Sequence, residues 1–215
     1  MDLGLARGLS LSPPKTCRAK GTANLTMSVT SLLGRLLRNV RAGEPKLAWY
    51  HPSIASAPAS IAVSSPSFSA GGPIPIRYAG SGVGDNVSPA LAWSGVPREA
   101  AELALIFEDP DAPLPRPFVH AVAAGIPCNV SGFAEGALSE LPSASVMLGY
   151  NSFRRIGYAG PRALPAHGPH NYVFQILALR RKLAFGRPPD RKYLLAALAG
   201  NVIARGRLDG TFERR

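Results

Sequence analysis

Leu103-Ala104-Leu105-Ile106-Phe107, running through Glu108 into the turn Asp109-Pro110-Asp111-Ala112-Pro113, is the stretch on which the fold is decided. It reads as an apolar strand that ends in a proline-rich turn carrying two acids. A second segment has the mirror arrangement. Gly168-Pro169-His170-Asn171-Tyr172 is a turn, and Val173-Phe174-Gln175-Ile176-Leu177 leaves it as a strand. A third run, Phe118-Val119-His120-Ala121-Val122, sets another histidine in a strand nine positions beyond Asp111. Acids and histidines where strands end are held on a stiff scaffold, which is where binding sites tend to sit.

Outward from these segments the chain alternates short apolar runs with turns. Ile61-Ala62-Val63, Ile74 to Tyr78, Ala90 to Trp93, Phe118 to Ala124, Tyr172 to Leu179 and Val202-Ile203-Ala204 with Leu208 read as further strands. Lys192 to Ala199 reads as a core-facing helix closed by Gly200. Near the start, Val29, Leu32, Leu33, Leu36, Leu37 and Val40 recur at helical spacing over Ser28 to Arg41, with Arg35, Arg38 and Arg41 on the other side. Such a stripe expects burial on the domain or in a homodimer, or else contact with an anionic membrane surface. The expected fold is mainly β: an antiparallel β-sandwich with a C-terminal helix and an N-terminal helical appendage. Residues 1–59 are expected to be a disordered start, the short helix and a Pro/Ala/Ser-rich connector from Lys46, and residues 60–215 the globular domain. Met27, where the helix signal begins, is the expected native start.

Composition narrows the function classes. The chain has 215 residues, 22 Gly and 21 Pro, which suits many turns. The formal charge of +11 is uneven: residues 1–46 carry +6 and the remainder +5. A mildly basic domain argues against a nucleic-acid partner. No apolar run approaches the ~20 residues of a membrane span, and Met1 to Ser12 is a poor secretory signal. Cys17 and Cys128 are too scattered for a disulfide framework, so a cytoplasmic setting is expected. The glycosylation triplets at Asn24, Asn86 and Asn129 carry little weight for the same reason.

Three motifs in order carry a resemblance over about residues 60 to 210. They are Asp109 to Pro113, then Tyr158-Ala159-Gly160-Pro161 running on to His170-Asn171-Tyr172, and Asn86-Val87-Ser88-Pro89-Ala90-Leu91-Ala92-Trp93. Together they resemble the phosphatidylethanolamine-binding protein family, in particular its bacterial, Raf-kinase-inhibitor-like branch. The chain departs from the family at Val119 and Ala121, where a Trp is common beside the histidine. Ala163 and Leu164 replace usual prolines, and Ala166 a usual glycine.

The resemblance implies a small-anion or phosphate-binding pocket with a regulatory or inhibitory role, acting on a protein partner whose identity the sequence does not give. By motif position its residues are Asp109, Asp111, His120, Gly160, His170 and Tyr172, with no cofactor, metal or catalytic residue expected. In this reading one Asp orients His120 and raises its proton affinity, so that an imidazolium faces the anion. His170, the Tyr172 hydroxyl and backbone N–H groups add donors. Which Asp pairs with which His stays open. His167 fits no family anchor and reads as a loop residue, Trp93 as core and Cys128 as incidental. The rival is a metal-dependent or acid-base hydrolase built on the same Asp/His cluster.

Overall fold

The computed structural model describes Met1 and residues 28–139 and 146–214. The expectations placed on Cys17, Asn24, Met27 and the polar start lie outside the described residues. Two antiparallel sheets form the body. Strands β1 (Ala62–Ser64), β2 (Leu91–Ser94) and β5 (Gly132–Phe133) make the smaller one. The larger runs in the order β6 (Met147–Leu148), β4 (Phe118–Ile126), β3 (Glu102–Asp109), β7 (His170–Leu179), β8 (Val202–Phe212). Among the described residues three α-helices accompany them: α1 (Val29–Leu36), α2 (Pro52–Ala55) and α3 (Arg191–Ala197).

Side chains alternate across each strand, and the two faces of the larger sheet are both covered. Leu103, Leu105 and Phe107 of β3 join Tyr172, Phe174 and Ile176 of β7 in the core between the sheets, with Trp93 and Phe133 opposite. The rings of Phe107 and Phe174 stack at 3.8 Å. On the outer face Ala104, Ile106, Leu177 and Leu179 pack against Leu194, Leu195 and Leu198 of α3 and against Ala48 and Ile54. A strand covered on both sides has no polar face, which is why 103–107 is continuously apolar rather than alternating.

Three expectations change. Ile74 to Tyr78 is no strand. Pro73 and Pro75 remove backbone donors, Pro73 makes a single bridge to Thr211, and Ile76–Tyr78 turns as a 3₁₀ helix. The stretch from Lys46 to Ser60 is more than a connector, because its own Leu47, Ala48 and Ile54 are buried, the last two against the outer face of the larger sheet. Glu108, fully buried, fastens this stretch to the sheet. It accepts from Ala48 N at 2.8 Å, Gln175 Nε2 at 2.8 Å and Arg191 Nε at 2.5 Å.

The third change concerns α1. Ser28 caps it through Ser31 N at 3.1 Å, but it stops at Leu36 rather than Arg41. The chain is drawn off to the turn after β3, where Ala42 N donates to Ala112 O and Gly43 N to Pro110 O. Gly34 is the buried residue of α1, and a Cβ there would sit 2.0 Å from Pro165 O. The helix therefore docks by its small side. Its apolar stripe faces outward, with Val29 83% and Leu36 78% exposed.

Candidate functional site

Asp109 closes β3 on the face that carries Phe107, so alternation points it into the core end of the sandwich. Its Oδ1 accepts from Asp111 N at 2.7 Å and Ala112 N at 3.0 Å, which shapes the Asp-Pro turn. Its Oδ2 lies 2.8 Å from His170 Nδ1. His170 and Tyr172 share the inner face of β7, two residues apart. His120 reaches the same place through a β-bulge. Phe107 pairs with Ala121 and Glu108 with Val119, so His120 is the extra residue, turned inward with Ala121.

Asp109, His120 and His170 line one cavity of about 200 Å³, walled by Ala112, Pro113, Leu114, Phe118, Phe153 and Leu164, with Arg162 at its mouth. Tyr172 stands behind, its ring 5.2 Å from that of His120. Gly160 lines a neighbouring polar cavity of about 220 Å³ that shares Phe153 and Arg162. Gly160 N donates to Asn86 Oδ1 at 2.9 Å, so Asn86 pins the glycine-rich segment. Asp111 is not among the lining residues of either cavity. It accepts from Asn171 N at 2.7 Å and pairs with Arg41 at 2.9 Å, clamping the chain after α1 to the start of β7.

The expected charge on His120 is corrected. Asp109 holds His170, not His120. The partner of His120 Nδ1 is the carbonyl of Ala159, and since a carbonyl only accepts, Nδ1 carries the proton and Nε2 a lone pair. Burial lowers the His120 pKa to about 4, against the smaller opposing pull of Asp109. The ring is neutral at pH 7. Burial likewise raises the Tyr172 phenol well above its ordinary range, so it stays protonated.

Among the described residues, His120 Nε2 and Tyr172 OH are buried without a hydrogen-bond partner. The phenol oxygen lies beside the backbone of Ala163 and Arg162 without reaching bonding geometry. One lone pair and one O–H, unpaired and adjacent, leave room for a ligand that brings a donor and an acceptor. Both nitrogens of His170 are occupied, the second by His167 Nδ1 at 2.8 Å. His167 is a loop residue, as expected, but a fully buried one, and its Nε2 reaches Leu37 O at 2.8 Å. Trp93 is core, as expected, and Cys128 is half-buried with its thiol toward Ala100 O. As a general base His120 itself is weak at pH 7, because burial lowers its proton affinity. Among the described residues no three His, Cys, Asp or Glu are disposed to hold a metal ion.

Sequence reading missed Arg162, Phe153, Asn86, His167 and Arg41. Each reaches the site from a loop or from a distant part of the chain; Asn86 opens one of the three motifs and Arg41 lies on the basic side of the N-terminal helical run, but neither position shows in sequence that it meets the pocket.

The comparisons with known proteins agree with this architecture. A protein of Methanothermobacter thermautotrophicus named UPF0098 protein is 39% identical over 145 residues, covering 66% of this chain and 92% of the relative. The crystal structure of a phosphatidylethanolamine-binding protein homologue from Chlamydia trachomatis superposes with a TM-score of 0.65 at 35% identity, covering 73% of this chain and 99% of that one. YbcL of E. coli, described as a member of the mammalian family, gives a TM-score of 0.69 at 27% identity over 73% of this chain and all of its own, 100%. The relatives span archaea and bacteria, so membership is not a bacterial trait. With residues 64–213 matching the family model itself, the chain belongs to the phosphatidylethanolamine-binding protein family.

Proposed function

We propose that this protein binds a small phosphorylated ligand carrying one acidic proton, and that occupancy regulates a protein partner. The observation that carries this reading is the unpaired couple of His120 Nε2 and Tyr172 OH. A monoprotonated phosphomonoester supplies a P–OH to donate to the imidazole lone pair and a phosphoryl oxygen to accept from the phenol. The apolar walls suit an organic substituent, and Arg162 at the mouth adds the positive charge that neutral His120 does not. Titration calorimetry with phenyl phosphate and sulfate tests it. Phenyl phosphate binding is expected to weaken as pH rises through its second ionisation near ~6, and sulfate, which has no proton to give, to bind poorly throughout. His120→Ala is expected to cost roughly ten-fold or more in phenyl phosphate affinity. Sulfate binding as tightly as phenyl phosphate, or an unchanged affinity in the folded variant, would remove the couple from the site.

A second contact is supported by the outward stripe of α1. Leu32, Leu33 and Leu36 are exposed beside exposed Arg35 and Arg38, which favours a peripheral anionic membrane surface as the occupant. Arg41 adds less than the sequence suggests, being paired to Asp111. Each arginine near such a surface is worth about 1 kcal/mol. Co-sedimentation with phosphatidylcholine vesicles, with and without phosphatidylglycerol, is expected to require the anionic lipid and to vanish in Leu32→Asp/Leu36→Asp. No sedimentation with either lipid, or a solution homodimer that the same substitutions dissolve, refutes it.

A further inference from the structure

The hydrogen-bond run Asp109–His170–His167–Leu37 joins the pocket to α1, and its protons can be counted. Both ends accept. Asp109 Oδ2 lies 2.8 Å from His170 Nδ1, and the carbonyl of Leu37 lies 2.8 Å from His167 Nε2. Between them His170 Nε2 and His167 Nδ1 are 2.8 Å apart. Three contacts need three N–H protons, and two neutral imidazoles carry two. The run is complete only when the pair holds one more, a positive charge beside the carboxylate of Asp109.

The place of that proton follows from the surroundings. Burial, and then His170 and Arg41, lower the proton affinity of His167, against the pull of the Leu37 and Val40 carbonyls. The extra proton therefore belongs on His170, in contact with Asp109. His167 is then neutral, with its proton on Nε2 for the Leu37 carbonyl and its bare Nδ1 accepting from His170.

We propose that His167 is a positioning residue, through which the docking of α1 on the rim of the pocket depends on a single proton held by His170. When that proton leaves, His170 keeps its bond to Asp109 and turns a lone pair toward His167 Nδ1. His167 relieves the opposed lone pairs by moving its own proton to Nδ1, and the link to Leu37 is lost. Docking of α1 therefore weakens as pH rises. Among the described residues the groups facing the pair are Asp109, Asp111, neutral His120, Tyr172, Arg38, Arg41 and Arg162, and the Arg214 carbonyl meets Ala166 N at 2.9 Å.

The consequence reaches the pocket wall. Gly34 of α1 braces Pro165, which follows Leu164 of the cavity lining. This last step rests on the ligand reading above, whereas the proton count does not.

The test uses the unliganded full-length chain over about pH 5 to 8.5, the range in which histidines titrate. Nitrogen-15 spectra of labelled histidine count the ring protons, and amide hydrogen exchange, corrected for intrinsic rates, follows residues 29–40. One doubly protonated ring in the pair is expected at the acidic end. As it loses its proton, protection of residues 29–40 is expected to fall roughly ten-fold, while β3 and β7 keep theirs. In His167→Gln, whose amide still donates to the Leu37 carbonyl, that protection is expected to stay flat with pH. Two neutral rings throughout, flat protection in the wild type, or a wild-type pH profile in the variant overturns the proposal. The wild-type measurements decide it even if the variant fails to fold. Failure of the ligand reading would appear instead in the calorimetry, which this experiment does not use.

Discussion

His120 sets the electrostatic character of the pocket, because a buried neutral imidazole attracts a hydrogen-bond donor and not a bare anion. Its lowered pKa of about 4 also makes it a source of acid sensitivity. In the unfolded chain it binds a proton near ~6.5, so the unfolded state holds more protons than the folded one between those values. The stability it contributes is fully present above about pH 6.5 and is lost as pH falls through 4, by roughly 3 kcal/mol in all. Urea unfolding of wild type and His120→Gln between these limits is expected to show the wild type losing that much more stability. Parallel curves would contradict a neutral buried ring. At this scale the sequence was partly legible. Asp109, His120 and His170 stand at strand ends and could be placed. The pairing could not, because a one-residue bulge decides where His120 points. His167 was missed because its carbonyl partner lies 130 positions away. Beside it, Ala166 holds a φ of 62°, a conformation costing an alanine about 1–2 kcal/mol.

At the scale of elements, the longer strands were legible because covered strands and proline-rich turns leave strong local signals. Short pieces were not. Ile74 to Tyr78 has strand-like residues, but its flanking prolines cannot complete a ladder. The extent and facing of α1 were hidden as well, since both depend on contacts with the turn after β3 and on Gly34. The packing of residues 47–57 rests on Glu108, whose buried carboxylate collects three donors from three parts of the chain. Removing one partner of a buried charged network costs about 3–5 kcal/mol. Glu108→Ala is expected to lose that much in urea unfolding, whereas Glu99→Ala, at an exposed position, should stay within about 0.5 kcal/mol of wild type. A loss below about 1 kcal/mol in Glu108→Ala would mean that the network does not hold this layer.

Across the whole molecule, the sandwich brings the ends of β3, β4 and β7 to one edge and covers both faces of the larger sheet. The site is thus fixed by rigid strands, while its walls at Leu114, Phe153, Arg162 and Leu164 come from connections. This division explains what the family resemblance could carry. Strand-end anchors follow from motif position, and the character of the pocket follows from the loops and the protonation of its histidines. Among the described residues no helix is long and apolar enough to cross a membrane. The central claim is that His120 and Tyr172 together receive a protonated phosphoryl group. It is tested most directly by a crystal structure of the protein soaked with phenyl phosphate at a pH below about 6. The phosphoryl group is expected within hydrogen-bond distance of both His120 Nε2 and Tyr172 OH, with the phenyl ring against Phe118 and Phe153. A phosphoryl group seated instead in the neighbouring cavity beside Asn86 and Gly160, with His120 and Tyr172 still unpaired, would contradict it.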